Sequence, residues 1–429
     1  MENRKIKVVW VCQFSNKGLR ERLQLRNGCT GFLKRKSLDD YAQWNTNAIK
    51  EIRKFHDIEL HVISPHVRLL TKIQEFVCDR IHYHIFADEE DNMIFRIKRK
   101  FLKGKYETPD YKKNTRIILS IINRINPDLI HYMGAENPNY SSSALKIDAK
   151  VPLIVSLQTL MLAPNFKSNY PISEKVYSYR RNVEIDVINK ADFVCCRSLH
   201  FRDIIWTTLS NKIRILDLSL AVGEDITMDI FKKEYTFVYF AKDIEKASDW
   251  AIEAFAIANR KHPEISMRII GKYGQESKRK IDDRLNSLNL VDRVTFSGSL
   301  PTHDDVINEV RKARFALLPL KVDLVSGTIR EAMANGIPVV TTITPGTPKL
   351  NERRRSVLLS EKGDFEGMAQ NMIDLIEMEG LEDTLRLNAY ETIKEKYDNA
   401  SIVKEWHDAY FQILENKCTG APISMEIIK

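Results

Sequence analysis

Long apolar runs are missing from this sequence of 429 residues. None approaches the roughly 20 residues that a helix needs to cross a bilayer. The amino-terminal run IKVVWVCQF is too short for a signal peptide and lacks a small-residue cleavage site, so it is interpreted as a first buried strand.

Cysteine is scarce as well, and its spacing fits neither a disulfide framework nor a metal site. The six cysteines form no CxxC pair and no spacing typical of metal ligands. Cys195 and Cys196 are adjacent in the strand-like run ADFVCCRS, where packing in the core is the expected role. This usage indicates a reducing compartment, and we expect a cytoplasmic protein.

Several common site motifs are absent. The sequence contains neither GxxxxGK[ST] nor GxGxxG, which argues against P-loop and dinucleotide-binding functions. Its histidines show no HExxH or similar spacing. The acidic run ADEEDN, residues 87–92, follows a strand, but no second ligand group is evident, so a solvated loop is expected rather than a metal-binding acidic motif. We expect no metal and no cofactor.

Charge of one sign does not dominate. Lysine and arginine total 66 against 58 aspartate and glutamate, which gives a net charge of +8. A basic surplus favours acidic partners such as nucleotides, nucleic acid or anionic lipid, without choosing among them. Because no nucleic-acid-reading module is recognisable and the acids are nearly as numerous as the bases, nucleic acid is not an expected partner.

Strand-like apolar runs alternate with amphipathic helical stretches along the chain. The strands are mostly apolar on both faces, which is typical of a parallel sheet covered by helices on both sides. The alternation breaks near residues 220–235 and then restarts with YTFVYFA. The sequence therefore predicts an α/β protein with two doubly wound, Rossmann-like domains that face each other across a cleft.

The predicted domains span residues 1–222 and 223–405. A carboxyl-terminal helix, at about residues 406–429, is expected to pack back on the first domain. The final residues, NKCTGAPISMEIIK, are expected to be loosely held.

The most informative segment is VDLVSGTIREAMANGIPVV, residues 322–340. It follows a buried strand and contains a helix whose start offers free N–H groups and the positive end of the helix dipole to an anion. Ser326 is expected to cap this helix, and Gly327 lets a ligand approach the backbone closely. Gly336 fits the C′ position after the helix.

Two acids flank this helix start. Asp323 lies in the loop after the strand, and Glu331 lies about one helical turn in. Ionised carboxylates only accept hydrogen bonds, so this arrangement suits a ligand with hydroxyls around a phosphate, such as a sugar nucleotide. The alternative is generic helix–Gly–strand packing in which both acids are solvated.

The segment resembles the acid-x7-acid motif of retaining glycosyltransferases of the GT-B fold, family 4 (glycosyl transferases group 1), whose usual text is close to E-x-F-G-x-x-x-x-E-A-M-A-x-G-x-P-V-V. The chain keeps the EAMA run, the glycine and the PVV run. It departs at the first acid, which is Asp323 rather than glutamate, and in the loop, where VSG replaces Phe-Gly. In the family, the first acid and nearby amides hold the donor sugar and the second acid holds the ribose. The resemblance assigns donor contacts to Asp323, Ser326, Gly327, Thr328 and Glu331.

Three further stretches resemble the donor side of this family. YFAKDIEKASDWAIEAF resembles a strand-loop-helix segment, G-R-x-x-x-x-K-G, whose cations clamp the donor diphosphate. Lys242 stands where arginine is usual, and Lys246 matches the lysine with a loop one residue shorter. RIIGKYG and RVTFSGSLP resemble strands that end beside the nucleotide, which adds Gly271 and Gly298 to the donor site.

The first half of the chain resembles the acceptor side. DLIHYMGAENPN and VPLIVSLQT resemble strands that line it, and they place Glu136 and Gln158 there; Gln158 stands where the family often has histidine. The early segment CQFSNKGLRERLQLRNG resembles the glycine loop after the first strand, with Gly18 as the candidate for close backbone approach.

The resemblance implies a metal-independent hexosyltransferase that retains the anomeric configuration. It would move a hexose-type sugar from a nucleoside diphosphate sugar to a glycan or lipid-linked acceptor, in bacterial surface polysaccharide synthesis. Residues 1–222 would bind the acceptor and residues 223–405 the donor. No nucleophile can be nominated, so a front-face route is expected in which the leaving diphosphate accepts the acceptor's proton. The alternative is a non-catalytic GT-B-like binding partner in a polysaccharide assembly.

A basic segment, MIFRIKRKFLKGKYETPDYKKNTR at residues 93–116, mixes cations with aromatic side chains. Such a segment can lie on an anionic membrane, where each basic residue adds about 1 kcal/mol. Acceptors in polysaccharide assembly are often lipid-linked, so attachment at the inner face of the membrane is one expectation. The other is a solvated helix and loop.

Overall fold

The described chain forms two compact units. The computed structural model describes residues 5–26, 40–91, 110–164, 166–169, 172–222, 226–227, 229, 231–243, 247–321 and 326–427. The first unit comprises Met1–Ala221 and Asn399–Lys429, and the second comprises Val222–Asp398. Among the helices in these ranges, none combines the length and the apolar character that a bilayer span requires.

The first unit contains an eight-stranded sheet in the order β3-β4-β2-β1-β5-β6-β7-β8. Its strands are β1 (Ile6–Val11), β2 (Ile58–His66), β3 (Ile73–Cys78), β4 (Ile81–Ala87), β5 (Leu129–Met133), β6 (Leu153–Ser156), β7 (Phe193–Cys195) and β8 (Ile215–Leu216). Its first helices are α1 (Lys17–Arg22), α2 (Gln43–Ile52), α3 (Lys112–Ile125), α4 (Pro138–Ser141), α5 (Phe166–Asn169), α6 (Glu174–Lys190) and α7 (Leu199–Thr208), with 3-10 turns at Glu89–Asp91 and Ser142–Lys146.

One strand of this sheet departs from the parallel arrangement expected from the sequence. β3 pairs antiparallel with β4, whereas the remaining strand pairs are parallel. Asp79 and Arg80 form the tight turn between β3 and β4, both with positive φ, 48° and 66°. A turn of this kind usually carries Asn-Gly or Asp-Gly, so Asp-Arg at this position does not signal a hairpin.

The core of the first unit is formed where apolar helix faces, such as that of α3, pack against the sheet. The isoleucines of α3 at positions 117, 118, 121, 122 and 125 are all buried against the sheet. Cys195 and Cys196 are also buried, as expected, and burial raises the pKa of each thiol to about 12. Both thiols are therefore inert packing groups at neutral pH.

The second unit contains a six-stranded sheet in the order β11-β10-β9-β12-β13-β14, and all its strand pairs are parallel. Its strands are β9 (Tyr235–Asp243), β10 (Met267–Lys272), β11 (Val294–Gly298), β12 (Ala313–Leu318), β13 (Val339–Thr342) and β14 (Leu358–Ser360). Its helices are α8 (Ser248–Lys261), α9 (Gln275–Ser287), α10 (His303–Val310), α11 (Gly327–Ala334), α12 (Phe365–Glu377) and α13 (Leu381–Lys396), with a 3-10 turn at Thr347–Asn351.

The chain returns to the first unit through its last helix, α14 (Asn399–Thr419). Trp406 and Tyr410 on this helix are fully buried against Trp10 and His131 of the sheet. The Tyr410 hydroxyl accepts a hydrogen bond from Trp10 Nε1 at 2.9 Å and lies 2.7 Å from His131 Nδ1. This aromatic cluster fixes the carboxyl-terminal helix on β1 and β5.

Contacts with the first unit hold the tail that follows α14 in place, so the expectation of a loosely held end was wrong. Arg214 bonds the Glu426 carboxylate through two guanidinium nitrogens, at 2.7 and 2.6 Å. The Ile427 N–H donates to the carbonyl of Ile215 at 2.9 Å, and Ile423 is buried. The tail therefore covers β8, which is an edge strand of only two residues.

The buried His131 should make stability depend on pH. Burial lowers its pKa to about 3, below the ordinary value of 6.5, so the unfolded chain binds the extra proton first as the pH falls. Its contribution is therefore complete above about pH 6.5 and is lost below that, at about 1.4 kcal/mol per pH unit. Urea unfolding at pH 6 and pH 5 should show a weaker dependence in His131→Gln than in the unmodified protein. An exposed control, His200→Gln, should leave the slope unchanged.

Candidate active site

The sheet of the second unit reverses its direction of growth between β9 and β12. The chain builds outward through β10 and β11 on one side, then returns to β12 beside β9 and builds outward through β13 and β14 on the other. In open parallel sheets, ligands bind at the carboxyl ends of the strands where such a reversal occurs. The loop after β9, which carries Lys246, and the loop after β12, which carries Asp323, leave the sheet at this point.

Side-chain contacts connect the residues that border these two loops. Lys321, just after β12, places its Nζ 2.8 Å from a carboxylate oxygen of Asp249, which opens α8 after β9. Thr342 Oγ1 accepts from the Leu320 N–H at 2.8 Å, which holds the same loop against β13. Lys242 belongs to β9, but its side chain, together with Lys246 and Asp323, lies outside the described residues.

Helix α11 begins at this edge, and its start differs from expectation in one respect. Ser326 occupies the N-cap position, as predicted, but its side chain does not cap the helix. Its Oγ lies 2.9 Å from Thr328 Oγ1, so the two hydroxyls bond each other. The first-turn N–H groups therefore do not use the Ser326 hydroxyl, and they remain suited to a ligand anion.

Glu331 folds back over the start of this helix. An ideal Cβ placed on Gly327 would lie 3.6 Å from Glu331 Oε1, so the carboxylate sits above the first turn. Side chains on a helix tilt toward its amino end, which is why a residue four positions on reaches this place. The structure thus places Ser326, Gly327, Thr328 and Glu331 close together at the switch point.

The end of α11 confirms the predicted glycine stop. The Gly336 N–H donates to the Met333 carbonyl at 3.1 Å and the Ile337 N–H to the Ala332 carbonyl at 3.0 Å, the two bonds of a Schellman motif. Gly336 has φ of 62°, a conformation that favours glycine. This tight stop lets the chain turn directly into β13.

Two predicted donor-site glycines end neighbouring strands at the same edge. Gly271 in β10 has φ of 144° and Gly298 at the end of β11 has φ of 72°. Ile270 pairs with Gly298 across the two strands, so the glycines lie close together. Both backbone conformations favour glycine, and neither residue carries a side chain that would obstruct a nucleotide.

The sheet of the first unit has its own switch point, between β1 and β5. Glu136, in the loop after β5, is buried, and its Oε2 has no hydrogen-bond partner within the described ranges. Burial raises the pKa of Glu136, whereas backbone hydrogen bonds and the Arg180 guanidinium lower it. A buried carboxyl with an unused oxygen at this edge can hold a hydroxyl of a ligand.

Sequence reasoning missed Gly134, which makes room for Glu136. A Cβ on Gly134 would lie 2.5 Å from the Tyr140 hydroxyl and 2.8 Å from Glu136 Oε2, and its φ is 115°. No other residue fits this position without displacing the carboxyl. The signal available in the sequence was a glycine directly after a strand.

The acidic run that follows β4 is part of this edge, so the expectation of a solvated loop was wrong. Asp88 is buried and accepts hydrogen bonds from Asn114 at 3.1 Å and Asn139 at 2.8 Å. Asn139 also donates to Gln13, in the loop after β1, at 3.2 Å. The carboxylate thus joins the loops after β1, β4 and β5 through amide side chains.

The other two predicted acceptor residues, Gln158 and Gly18, lie at the same edge, but Gly18 is not in the predicted glycine loop. Gln158 is exposed in the loop after β6, and that loop is held by Glu184, which accepts the N–H groups of Met161 and Leu162 at 3.0 Å each. Gly18 lies inside helix α1 rather than in a glycine loop. A Cβ there would make only an ordinary contact of 3.6 Å with Asn16, so nothing in the backbone requires glycine.

Comparison with known proteins points to one family. The family model described as "Glycosyl transferases group 1" matches residues 234–378, which lie within the second unit. N-acetyl-alpha-D-glucosaminyl L-malate synthase from Bacillus anthracis is 27% identical over 136 residues, 32% of this chain and 35% of that protein. An uncharacterized glycosyltransferase from Methanocaldococcus jannaschii is 22% identical over 354 residues, 80% of this chain and 87% of that protein. The matched region of this chain thus spans about a third of the length of the first relative.

Solved structures show the same fold. Sucrose-phosphate synthase from Thermosynechococcus elongatus has a TM-score of 0.69 at 14% identity and covers 96% of this chain and 100% of its own. HepE from Anabaena, solved in complex with UDP, has a TM-score of 0.62 at 14% identity and covers 95% of this chain and 100% of its own. The family match confirms the resemblance to glycosyl transferases group 1. The solved structures confirm the predicted GT-B fold of two parallel-sheet α/β domains.

Proposed function

We propose that this chain, with its glycosyl transferases group 1 region and GT-B fold, is a retaining, metal-independent glycosyltransferase. It transfers a hexose-type sugar from a nucleoside diphosphate sugar to a glycan or lipid-linked acceptor, in bacterial surface polysaccharide synthesis. The observation that carries the proposal is the carboxylate of Glu331 folded over the start of α11, at the switch point of the second sheet.

Donor binding follows from the chemistry of that edge. The Glu331 carboxylate accepts hydrogen bonds from the two ribose hydroxyls, and the first-turn amides of α11 receive the diphosphate or the sugar hydroxyls. Gly271 and Gly298 leave space for the nucleoside beside them. UDP is the first nucleotide to test, because HepE, a protein of similar fold, was solved with it.

The transfer step builds negative charge on the leaving diphosphate. Lys242 in β9, Lys246 four residues later, and the amides near Gly327 stabilise that charge as the bond to the anomeric carbon breaks. The acceptor hydroxyl forms the new bond on the same face, and its proton passes to a diphosphate oxygen. Asp323 holds hydroxyls of the donor sugar.

The acceptor is assigned to the first unit. Glu136 offers an unused buried oxygen to an acceptor hydroxyl, and Gln158, exposed in the loop after β6, supplies an amide that can orient it. Gln158 cannot shuttle a proton as histidine can. This fits a route in which the diphosphate, rather than a side chain, is the base.

The function is tested with a panel of UDP- and GDP-sugars. Thermal unfolding should detect the donor, since a ligand at 100 times its Kd stabilises the folded chain by about 2.7 kcal/mol. The selected donor is then incubated with glycan and lipid-linked acceptors, and NMR of the anomeric proton should show retention. A donor that stabilises the protein without transfer or hydrolysis would favour the non-catalytic alternative, and an inverted product would contradict the retaining mechanism.

Membrane attachment through the basic segment, residues 93–116, is part of the proposal. Most of this segment, residues 93–109, lies outside the described residues. Reversing Lys98, Arg99 and Lys100 to glutamate should greatly reduce co-sedimentation with anionic liposomes, since each basic residue contributes about 1 kcal/mol. Neutral liposomes are the control. Equal sedimentation of the two proteins would assign the segment to a solvated surface.

A further inference from the structure

A ladder of histidine and glutamate side chains crosses the edge of the first sheet. His61 of β2 pairs in register with His82 of β4, and Glu75 of β3 pairs with His84 of β4. Glu59 lies two residues before His61 and therefore points to the same face of the sheet. These positions are near the amino ends of β2 and β4, whereas the loops of the candidate acceptor edge follow their carboxyl ends.

Four of these side chains form a continuous chain of contacts. Glu75 Oε1 lies 2.6 Å from His84 Nδ1, His84 Nε2 lies 3.0 Å from His61 Nδ1, and His61 Nε2 lies 3.0 Å from Glu59 Oε1. The two imidazoles are largely buried, with side-chain exposures of 9% for His61 and 10% for His84.

The proton count of these four side chains leaves a place for one cation. Each of the three contacts requires one proton between its two acceptor atoms, but two neutral imidazoles carry only two N–H protons. Every combination of tautomers therefore leaves at least one contact without a proton. When the His84 Nδ1–H donates to Glu75 and the His61 Nδ1–H donates to His84, the lone pair of His61 Nε2 faces Glu59 Oε1.

The structure also indicates which end of this series of contacts takes the cation. At the Glu75 end, the Arg124 guanidinium already contacts the carboxylate. At the Glu59 end, His82 adds a third donor group: one ligand atom each from Glu59, His61 and His82 lies within 4.8 Å of the others. The His82 ring stacks on His61 with centroids 4.5 Å apart.

We propose that Glu59, His61 and His82 bind a Zn²⁺ ion, with water as the fourth ligand. Two imidazoles and a carboxylate form a donor set that suits zinc, and three protein ligands with one water is a common zinc arrangement. Ligand atoms of tetrahedral zinc lie about 3.3 Å apart, so His82, which is partly exposed, has to turn inward.

The remaining residues of the ladder act as the outer shell of this site. With zinc on His61 Nε2, the His61 Nδ1–H donates to His84 Nε2, and the His84 Nδ1–H donates to Glu75, so every contact has its proton. A cavity of about 260 Å³ has Glu59 and His82 in its wall, which gives the ion and its water room beside the ligands. The bound zinc links β2 to β4 at the sheet edge, away from the transfer chemistry.

The ligands are far apart in the sequence, which is why spacing did not reveal them. Short zinc motifs place paired ligands two to five residues apart on one turn or helix. Here, His61 and His82 come from different strands and meet only through strand pairing.

Zinc binding is tested on untagged full-length protein that has been stripped with EDTA. Equilibrium dialysis with metal analysis should find one Zn²⁺ per chain. His82→Gln should weaken binding at least about 100-fold, and Glu75→Gln, which removes only the outer shell, about 10- to 100-fold. His56→Gln, an exposed histidine in the wall of the same cavity, should bind as the unmodified protein does.

A spectroscopic readout separates coordination from folding. Co²⁺ bound to the stripped protein should give the visible absorption of a tetrahedral site, and His82→Gln should abolish it while its metal-free thermal unfolding stays unchanged. Failure of the unmodified protein to bind one equivalent of zinc would overturn the proposal. The same conclusion would follow if His82→Gln bound normally, or if His56→Gln lost binding to the same extent.

Discussion

Replacing Glu331 by alanine should weaken donor binding about 100-fold. The carboxylate lies over the first turn of α11, and in the proposed function it accepts two hydroxyl hydrogen bonds from the ribose. Hydrogen bonds to a charged group contribute about 1.5–3 kcal/mol each, so losing both costs about 3 kcal/mol or more. Calorimetry should show the loss as a larger Kd for the nucleoside diphosphate, and kinetics should show it as a lower kcat/KM for the donor.

Two further variants make this result specific. Glu331→Gln keeps one acceptor oxygen and the shape of the side chain, so it should fall between the alanine variant and the unmodified protein. Glu276→Ala removes a carboxylate that is 84% exposed on α9 of the same unit and should leave Kd unchanged. If Glu331→Ala bound the nucleotide within about twofold of the unmodified protein while remaining folded, the assignment of the ribose to this carboxylate would be wrong.

Lys246→Ala should lower kcat about 100- to 1000-fold with a smaller effect on the KM of the donor. In the proposed transfer step, its ammonium stabilises a charge that grows as the diphosphate leaves, so the interaction would be stronger in the transition state than in the bound donor. Removing one such preorganised group typically has this effect on kcat. Single-turnover measurements with saturating donor would isolate the transfer step.

The comparison requires variants that separate charge from structure. Lys246→Arg keeps the cation and should retain much more activity than the alanine variant. Lys280→Ala removes an exposed lysine of α9 in the same unit and should not change kcat. A Lys246→Ala protein that transferred sugar at the normal rate would show that another cation neutralises the diphosphate.

Local signals in the sequence predicted the second unit well. Buried parallel strands need apolar residues on both faces, and a helix that stops before a strand needs a residue that tolerates positive φ, as Gly336 does. Ser326 was correctly placed at the start of α11, yet the sequence could not show that its hydroxyl bonds Thr328 instead of the helix. That choice depends on rotamers, which the pattern of residue types does not fix.

Predictions for the first unit were weaker, since its site depends on contacts between distant segments. Asp88 was expected to be solvated because acids usually are, but Asn114 and Asn139 bury it with hydrogen bonds. Gly18 is the better glycine candidate in the segment after β1 by resemblance alone, whereas Gly134, after β5, is the glycine that the packing requires.

The sequence by itself determined the two-domain α/β class, the family resemblance and the position of the acid-bearing helix, because each depends on residues within one element or on its immediate neighbours. Tertiary structure alone decided which loops share an edge, that Glu136 is buried with an unused oxygen, and that histidines 21 residues apart, His61 and His82, lie side by side. The physical reason is that strand order and register bring these groups together, and burial then sets their charge and their need for partners.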